Sequence, residues 1–235
     1  MDKKKSGSLK STNNLVVQHT PKSFISEQYR ILRTNLQLSI PDSTIRTIVF
    51  TSASHSEGKS TTIANLATVL AMEGKRILLI DADMRNPQLH SIFHIENFRG
   101  LSNVLALQVP IKTAIQATEI DNLDLLPGGS NPLNPSELLG TEATASLLEH
   151  VKSLYDLVLI DAPSVLAVAD SKVLISKCDG TILVVDSGKT DKDLALMAKE
   201  AILLSNPNLI GAVINNFKLS KERGSLMYQG AKEKR

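Results

Sequence analysis

The chain of 235 residues, 42% hydrophobic and 21% charged, is ordinary globular material with enough apolar content for one sizeable α/β core. No apolar run approaches the roughly 18–20 residues that cross a bilayer, and the Lys-rich N-terminus lacks the apolar segment of a secretory signal, so a cytoplasmic protein is expected. The net charge of +2 conceals a division that disfavours nucleic acid as a partner: residues 1–22 carry five lysines against Asp2, residues 218–235 carry six Lys or Arg against Glu222 and Glu233, and the body between them is net −6.

Residues 1–22 read as a flexible basic tail, suited either to an anionic membrane surface, where each Lys or Arg contributes about 1 kcal/mol, or to solvent. A helix of amphipathic period follows over 23–40. Next come a strand at Thr47–Thr51, a helix at Lys59–Glu73, a strand at Arg76–Asp81, a helix at Leu101–Leu107 and a strand at Leu123–Pro127. The stretch Pro127–Pro135 is the clearest loop. A helix at Glu142–Ser153, a strand at Leu157–Asp161, a helix at Ala169–Lys177, a strand at Thr181–Asp186, a helix at Lys192–Leu204 and a strand at Leu209–Asn215 complete the pattern. Unbroken apolar strands alternating with helices predict an α/β fold, a parallel β-sheet flanked by helices on both faces, forming one domain over 23–217. Residues 218–235 read as a second flexible tail. Cys178 reads as buried and inert; Phe93, Phe98 and Leu101 read as core, Tyr29 and Tyr155 as packing residues, and His90 and His94 lack the third ligand zinc needs.

The stretch SASHSEGKST, residues 52–61, joins the first strand to the helix beginning at Lys59. A helix N-terminus presents unpaired N–H groups and the positive end of its dipole, so an anion is stabilised there before any side chain contributes. Against the pattern G-x-x-x-x-G-K-[ST] only the first glycine is replaced, by Ala53. Gly58 allows close approach of the backbone to phosphate, Lys59 reaches the β and γ oxygens, Ser60 offers its hydroxyl to Mg²⁺, and Thr61 caps toward the α-phosphate. The nucleotide-binding stretch is therefore Ser56, Glu57, Gly58, Lys59, Ser60 and Thr61.

Two acidic motifs converge on the same place if the sheet is parallel, because ligands bind beyond the carboxyl ends of its strands. ILLIDADMRNP carries Asp81 and Asp83 at the end of one strand, and DLVLIDAPS carries Asp161 at the end of another. Carboxylates at strand ends beside a bound nucleotide suit a hard cation, which implies ATP with Mg²⁺, the ion held by Ser60, Asp83 and Asp161.

The phosphate loop, the paired aspartates followed by Arg85, and Asp161-Ala162-Pro163 together resemble the bacterial protein-tyrosine kinases. That family belongs to the deviant P-loop ATPases, whose other members include septum-site and chromosome-partitioning ATPases. SEQYRILRTN adds a second likeness: Glu27, Arg30 and Arg33 match the family's E-x-x-R-x-x-R helix and share one helical face, a feature used there for self-association into rings. The resemblance implies a cytoplasmic, autophosphorylating kinase of capsule or exopolysaccharide synthesis. Its transmembrane activator, of the polysaccharide co-polymerase type, would be a separate chain that recruits it to the inner face of the membrane, and its substrates would be tyrosine-bearing proteins. By carry-over, Asp81 orients and deprotonates the attacking tyrosine, with Lys59 and Asp83 also catalytic, and Asn215 and Asn216 approach adenine.

Three departures qualify that likeness. His55 and Ser56 stand where the family usually has Pro and Gly, and a non-glycine at 56 restricts the loop if a positive φ is required. The tail holds Tyr228 alone in place of a tyrosine cluster, so it offers a single phosphoacceptor. Residues 53–57 contain no lysine of the kind positioning ATPases extend across a dimer, which sets the kinase against two alternatives: a MinD- or ParA-like positioning ATPase, and a nucleotide-binding regulatory paralogue without kinase activity.

Overall fold

The computed structural model describes residues 14–40 and 45–218. Seven strands form one sheet: β1 (Thr47–Ser52), β2 (Ile77–Asp81), β3 (Gln116–Ala117), β4 (Leu123–Leu126), β5 (Leu157–Asp161), β6 (Gly180–Asp186) and β7 (Leu209–Asn215). Their order across the sheet is β3-β4-β2-β5-β1-β6-β7. All neighbours run parallel except the short β3, which meets β4 antiparallel at the edge. Every residue of β1, β2 and β5 is buried, which is why these strands read as unbroken apolar runs.

Alternation within those strands divides the core in two. Ile48, Phe50, Ile77, Leu79, Leu159 and Val184 face α3 (Lys59–Ala71), whereas Val49, Leu78, Ile80, Val158, Ile160 and Leu183 face α8 (Glu142–Leu154), α9 (Asp170–Lys177) and α10 (Lys192–Ser205). Helix α3 is buried from Thr62 through Ala71, so it needs cover on its outer side as well. Two N-terminal helices supply it: α1 (Val16–His19) and α2 (Phe24–Ser39).

The described residues therefore include part of the segment expected to be a flexible tail. Leu15 and Val17 are buried in the core, and Asn65 of α3 ties the segment down. Its carboxamide accepts the Val17 N–H (3.1 Å) and donates to the carbonyls of Asn14 (2.7 Å) and Thr61 (2.8 Å). One turn of helix with two apolar anchors carries no periodicity to read, so the sequence concealed it. The short helices α4 (Leu89–Ile92), α5 (Leu101–Leu105), α6 (Ile111–Ala114) and α7 (Pro135–Gly140) fill the connections from β2 to β4 and from β4 to α8.

Among the side chains read as core, Phe93 and Leu101 are buried but Phe98 is 80% exposed, on the loop that follows β2 and α4. Helix α4 stops at Ile92 and His94 turns to φ +55°, so His90 and His94 do not share a helical face. Cys178 is buried and its thiol is pushed up to about 12 by that burial, which leaves it inert. Tyr155 donates its hydroxyl to Asp124 (2.7 Å), and Tyr29 packs against the α3 side of the core.

Candidate active site

Strand β1 delivers residues 53–58 to the head of α3, and the backbone turns left-handed twice on the way. Ser56 lies at φ +59° and Gly58 at φ +84°. Gly58 is required twice over: a Cβ there would sit 2.0 Å from the Asn215 carboxamide nitrogen, and the conformation disfavours any side chain. Ser56 adopts the conformation that a glycine would take at little cost, a strain of roughly 1–2 kcal/mol that its surroundings offset. The first intrahelical bond of α3 runs from the Thr62 N–H to the Gly58 carbonyl (2.9 Å), so the N–H groups of Lys59, Ser60 and Thr61 are the orphan donors of the helix head.

A cleft of about 260 Å³ opens at this head. His55, Ser56, Gly58, Lys59, Ser60 and Thr61 line one side; Asp83, Asn86, Gln88, Ser91, Ile92 and Asn14 line the other. The loop and the ILLIDADMRNP motif thus converge as the parallel sheet requires, and His55 belongs to the cleft wall.

The three aspartates divide by position. Asp81 and Asp161 are register partners at the ends of β2 and β5, both essentially fully buried. The Asp81 Oδ2 accepts the N–H groups of Gln88 and Leu89 (both 2.9 Å), which fixes the start of α4, while its Oδ1 has no partner. Both Asp161 oxygens are likewise buried without a hydrogen bond. Burial, reinforced by the Asp161 charge, holds the Asp81 carboxyl well above the usual range. Burial lifts Asp161 to about 6 against the opposing pull of the Lys59 charge. Asp83 faces the cleft, its Oδ1 accepting the Asn86 N–H (3.1 Å); partial burial raises its carboxyl, and Lys59 and His55 draw it back.

Three buried carboxylate oxygens without partners, beside a helix head whose Lys59, Ser60 and Thr61 N–H groups have no intrahelical acceptor, fit a hard cation on a nucleotide phosphate. Among the described residues no three His, Cys, Asp or Glu side chains converge at ligating geometry. Asp81, read as the base, is buried with its Oδ1 unpartnered, and Asp83, read as a cation ligand as well as catalytic, lines the cleft.

Other predicted site residues make contacts within the chain. The Glu57 side chain points inward, accepting the Ala53 N–H (3.1 Å) and the Thr190 hydroxyl (2.6 Å). The Asn215 amide donates to the Glu57 carbonyl (3.0 Å) and that of Asn216 to Asp186 (2.8 Å), although both residues also line a larger cavity of about 580 Å³ between α2 and β7. Glu27 pairs with Arg30 (2.9 Å) and Arg33 with Glu73 (2.9 Å), so these charges find partners within the chain. Arg85 forks onto the buried Asp170 through Nε (2.8 Å) and Nη2 (3.1 Å). Tyr228 lies outside the described residues. Asn14, Asn86, Gln88, Ser91, Lys189 and Thr190 were missed; nothing in their local spacing distinguishes them from ordinary loop polar residues.

A family model described as an AAA domain matches residues 45–191. The tyrosine-protein kinase YwqD of Bacillus subtilis is 44% identical over 94% of this chain and 92% of its own, and the putative tyrosine-protein kinase CapB of Staphylococcus aureus is 34% identical over 98% and 99%. Among solved structures, the chimerical protein CapA2B2 superposes with a TM-score of 0.84 at 38% identity, covering 88% of this chain and 91% of that one. With the phosphate loop, the strand-end aspartates and the sheet order in place, the chain belongs to the bacterial tyrosine-protein kinases.

Proposed function

We propose that this chain is an ATP-dependent tyrosine kinase of capsule or exopolysaccharide synthesis in which Asp83, and not Asp81, receives the proton of the acceptor. The observation that carries this reading is that Asp83 opens onto the same cleft as the phosphate loop, while Asp81 and Asp161 lie buried with unpartnered oxygens. Lys59 and the N–H groups at the head of α3 bind the triphosphate, and the nucleoside extends toward the cavity between α2 and β7. Ser60, Asp81 and Asp161 would hold Mg²⁺, which would offset negative charge on the transferring phosphoryl group. The tyrosine oxygen attacks the γ-phosphorus, the bond to the bridging oxygen of ADP breaks, and the phenolic proton passes to Asp83. Burial of Asp83 raises its basicity toward that task. Tyr228 is the acceptor within the chain, presented to a neighbouring copy in an assembly formed through the α2 face bearing Glu27, Arg30 and Arg33. A separate transmembrane activator brings the kinase to the inner face of the membrane.

Asp83→Asn and Asp81→Asn separate the roles. Asp83→Asn is expected to lower transfer to tyrosine about 10²–10⁴-fold with nucleotide affinity in Mg²⁺ within about twofold. Asp81→Asn is expected chiefly to raise the Mg²⁺ concentration needed. Full transfer by Asp83→Asn, alongside loss in Asp81→Asn at saturating Mg²⁺, would return the base role to Asp81.

A further inference from the structure

The connection from β6 to α10 grips the phosphate loop from outside the cleft. Lys189 donates its ammonium to the Ser56 carbonyl (3.1 Å), at the left-handed residue. Next to it, the Thr190 hydroxyl donates to Glu57 Oε1 (2.6 Å) and itself accepts the Asp186 N–H (3.2 Å). Glu57 is 1% exposed, and its second oxygen takes the Ala53 N–H. Asp186 is tied in turn to Gly188 N–H (2.8 Å) and to the Asn216 carboxamide (2.8 Å). Successive loop residues 56 and 57 are thus each held by successive residues of another strand's connection, across 133 positions of sequence.

We propose that Lys189 and Thr190 are positioning residues for nucleotide binding, which hold the phosphate loop in its anion-ready shape and make Ser56 tolerable where glycine would otherwise serve. The inference rests on the reading of this cleft as an ATP site, and it assigns the two residues no contact with the transferring phosphoryl group. The physical reason is local. A serine at positive φ tends to relax toward negative φ, and relaxation would swing its carbonyl and the following N–H groups out of the arc that phosphate needs. An ammonium on that carbonyl and a buried carboxylate on the next residue resist the swing from two directions. A glycine at 56 has no such tendency and makes the grip by Lys189 dispensable.

The test is a double-mutant cycle on the full chain. In the Ser56 background, Lys189→Met is expected to raise the MgATP Kd and KM about fivefold, the effect of one lost hydrogen bond, with kcat changed less than twofold and with Lys189→Arg restoring affinity. In a Ser56→Gly background the same substitution should change affinity less than twofold. Thr190→Val should act like Lys189→Met and Thr190→Ser should rescue. Hydrogen exchange of residues 53–58 in the nucleotide-free protein supplies a readout independent of ATP: it should quicken in Lys189→Met and not in Ser56→Gly/Lys189→Met. Equal losses in both backgrounds, or unchanged loop exchange in Lys189→Met, would overturn the proposal. Failure of the unaltered chain to bind MgATP would instead overturn the ATP-site reading, and the exchange result would still decide the grip.

Discussion

Asp161 shows how a carboxylate buried at a strand end burdens the fold that carries it. Its carboxyl is lifted to about 6 by burial, against an ordinary value near 3.8. Between these values the folded chain keeps a proton that the unfolded chain has released, so its contribution to ligand-free stability is lost as pH rises through the window. The loss is roughly 3 kcal/mol for a shift of this size. Asp81, raised by the same cause, acts in the same direction. Urea unfolding of the ligand-free protein at pH 5 and pH 7.5 checks this: Asp161→Asn should flatten the fall and stabilise the protein at pH 7.5 by about 1–3 kcal/mol. A variant less stable than the parent at pH 7.5 would contradict it. That Asp81, Asp83 and Asp161 gather at one end of the sheet was legible in the sequence, because Asp81 and Asp161 end apolar strands, Asp83 follows two residues on, and parallel strands share a carboxyl edge. Which of them faces the cleft was not, since that depends on Gln88 and Leu89 folding back to bind one oxygen of Asp81.

At the scale of elements, the N-terminal segment is the main departure from the sequence reading. Apolar periodicity marked α2 and α3, but α1 is one turn long and its buried Leu15 and Val17 are recognisable only once α3 is seen to be buried on its outer side too. Removing residues 1–22 should therefore cost about 3–5 kcal/mol more in urea unfolding than removing residues 1–13, from the burial of these two side chains. Asn65→Leu, which leaves the Val17 N–H and the Asn14 carbonyl without their partner, should cost about 1–3 kcal/mol. Equal stability of the two truncated chains would show that the strap contributes nothing. The grip of the β6–α10 connection on the phosphate loop was invisible for a related reason: it joins residues 133 positions apart, and neither Lys189 nor Thr190 falls in a recognisable spacing.

For the molecule as a whole, the doubly covered sheet was readable because the strands buried on both faces are largely apolar runs without polar alternation. The sheet's order, with β1 between β5 and β6, then fixes where the phosphate loop meets Asp161, so the fold and the site follow from one arrangement. Exposed positions escaped this logic, as Phe98 illustrates: an aromatic in a loop carries no signal of whether it faces core or solvent. The central claim is that this cleft moves the γ-phosphoryl of ATP to tyrosine. The most direct measurement is transfer of labelled γ-phosphate from MgATP to the intact chain, with the activator's cytoplasmic segment present, followed by identification of the labelled amino acid. Label is expected on tyrosine, lost in Lys59→Met and, for labelling of the chain itself, in Tyr228→Phe. ATP bound and hydrolysed with no labelled tyrosine in the chain or in an added tyrosine substrate would contradict it.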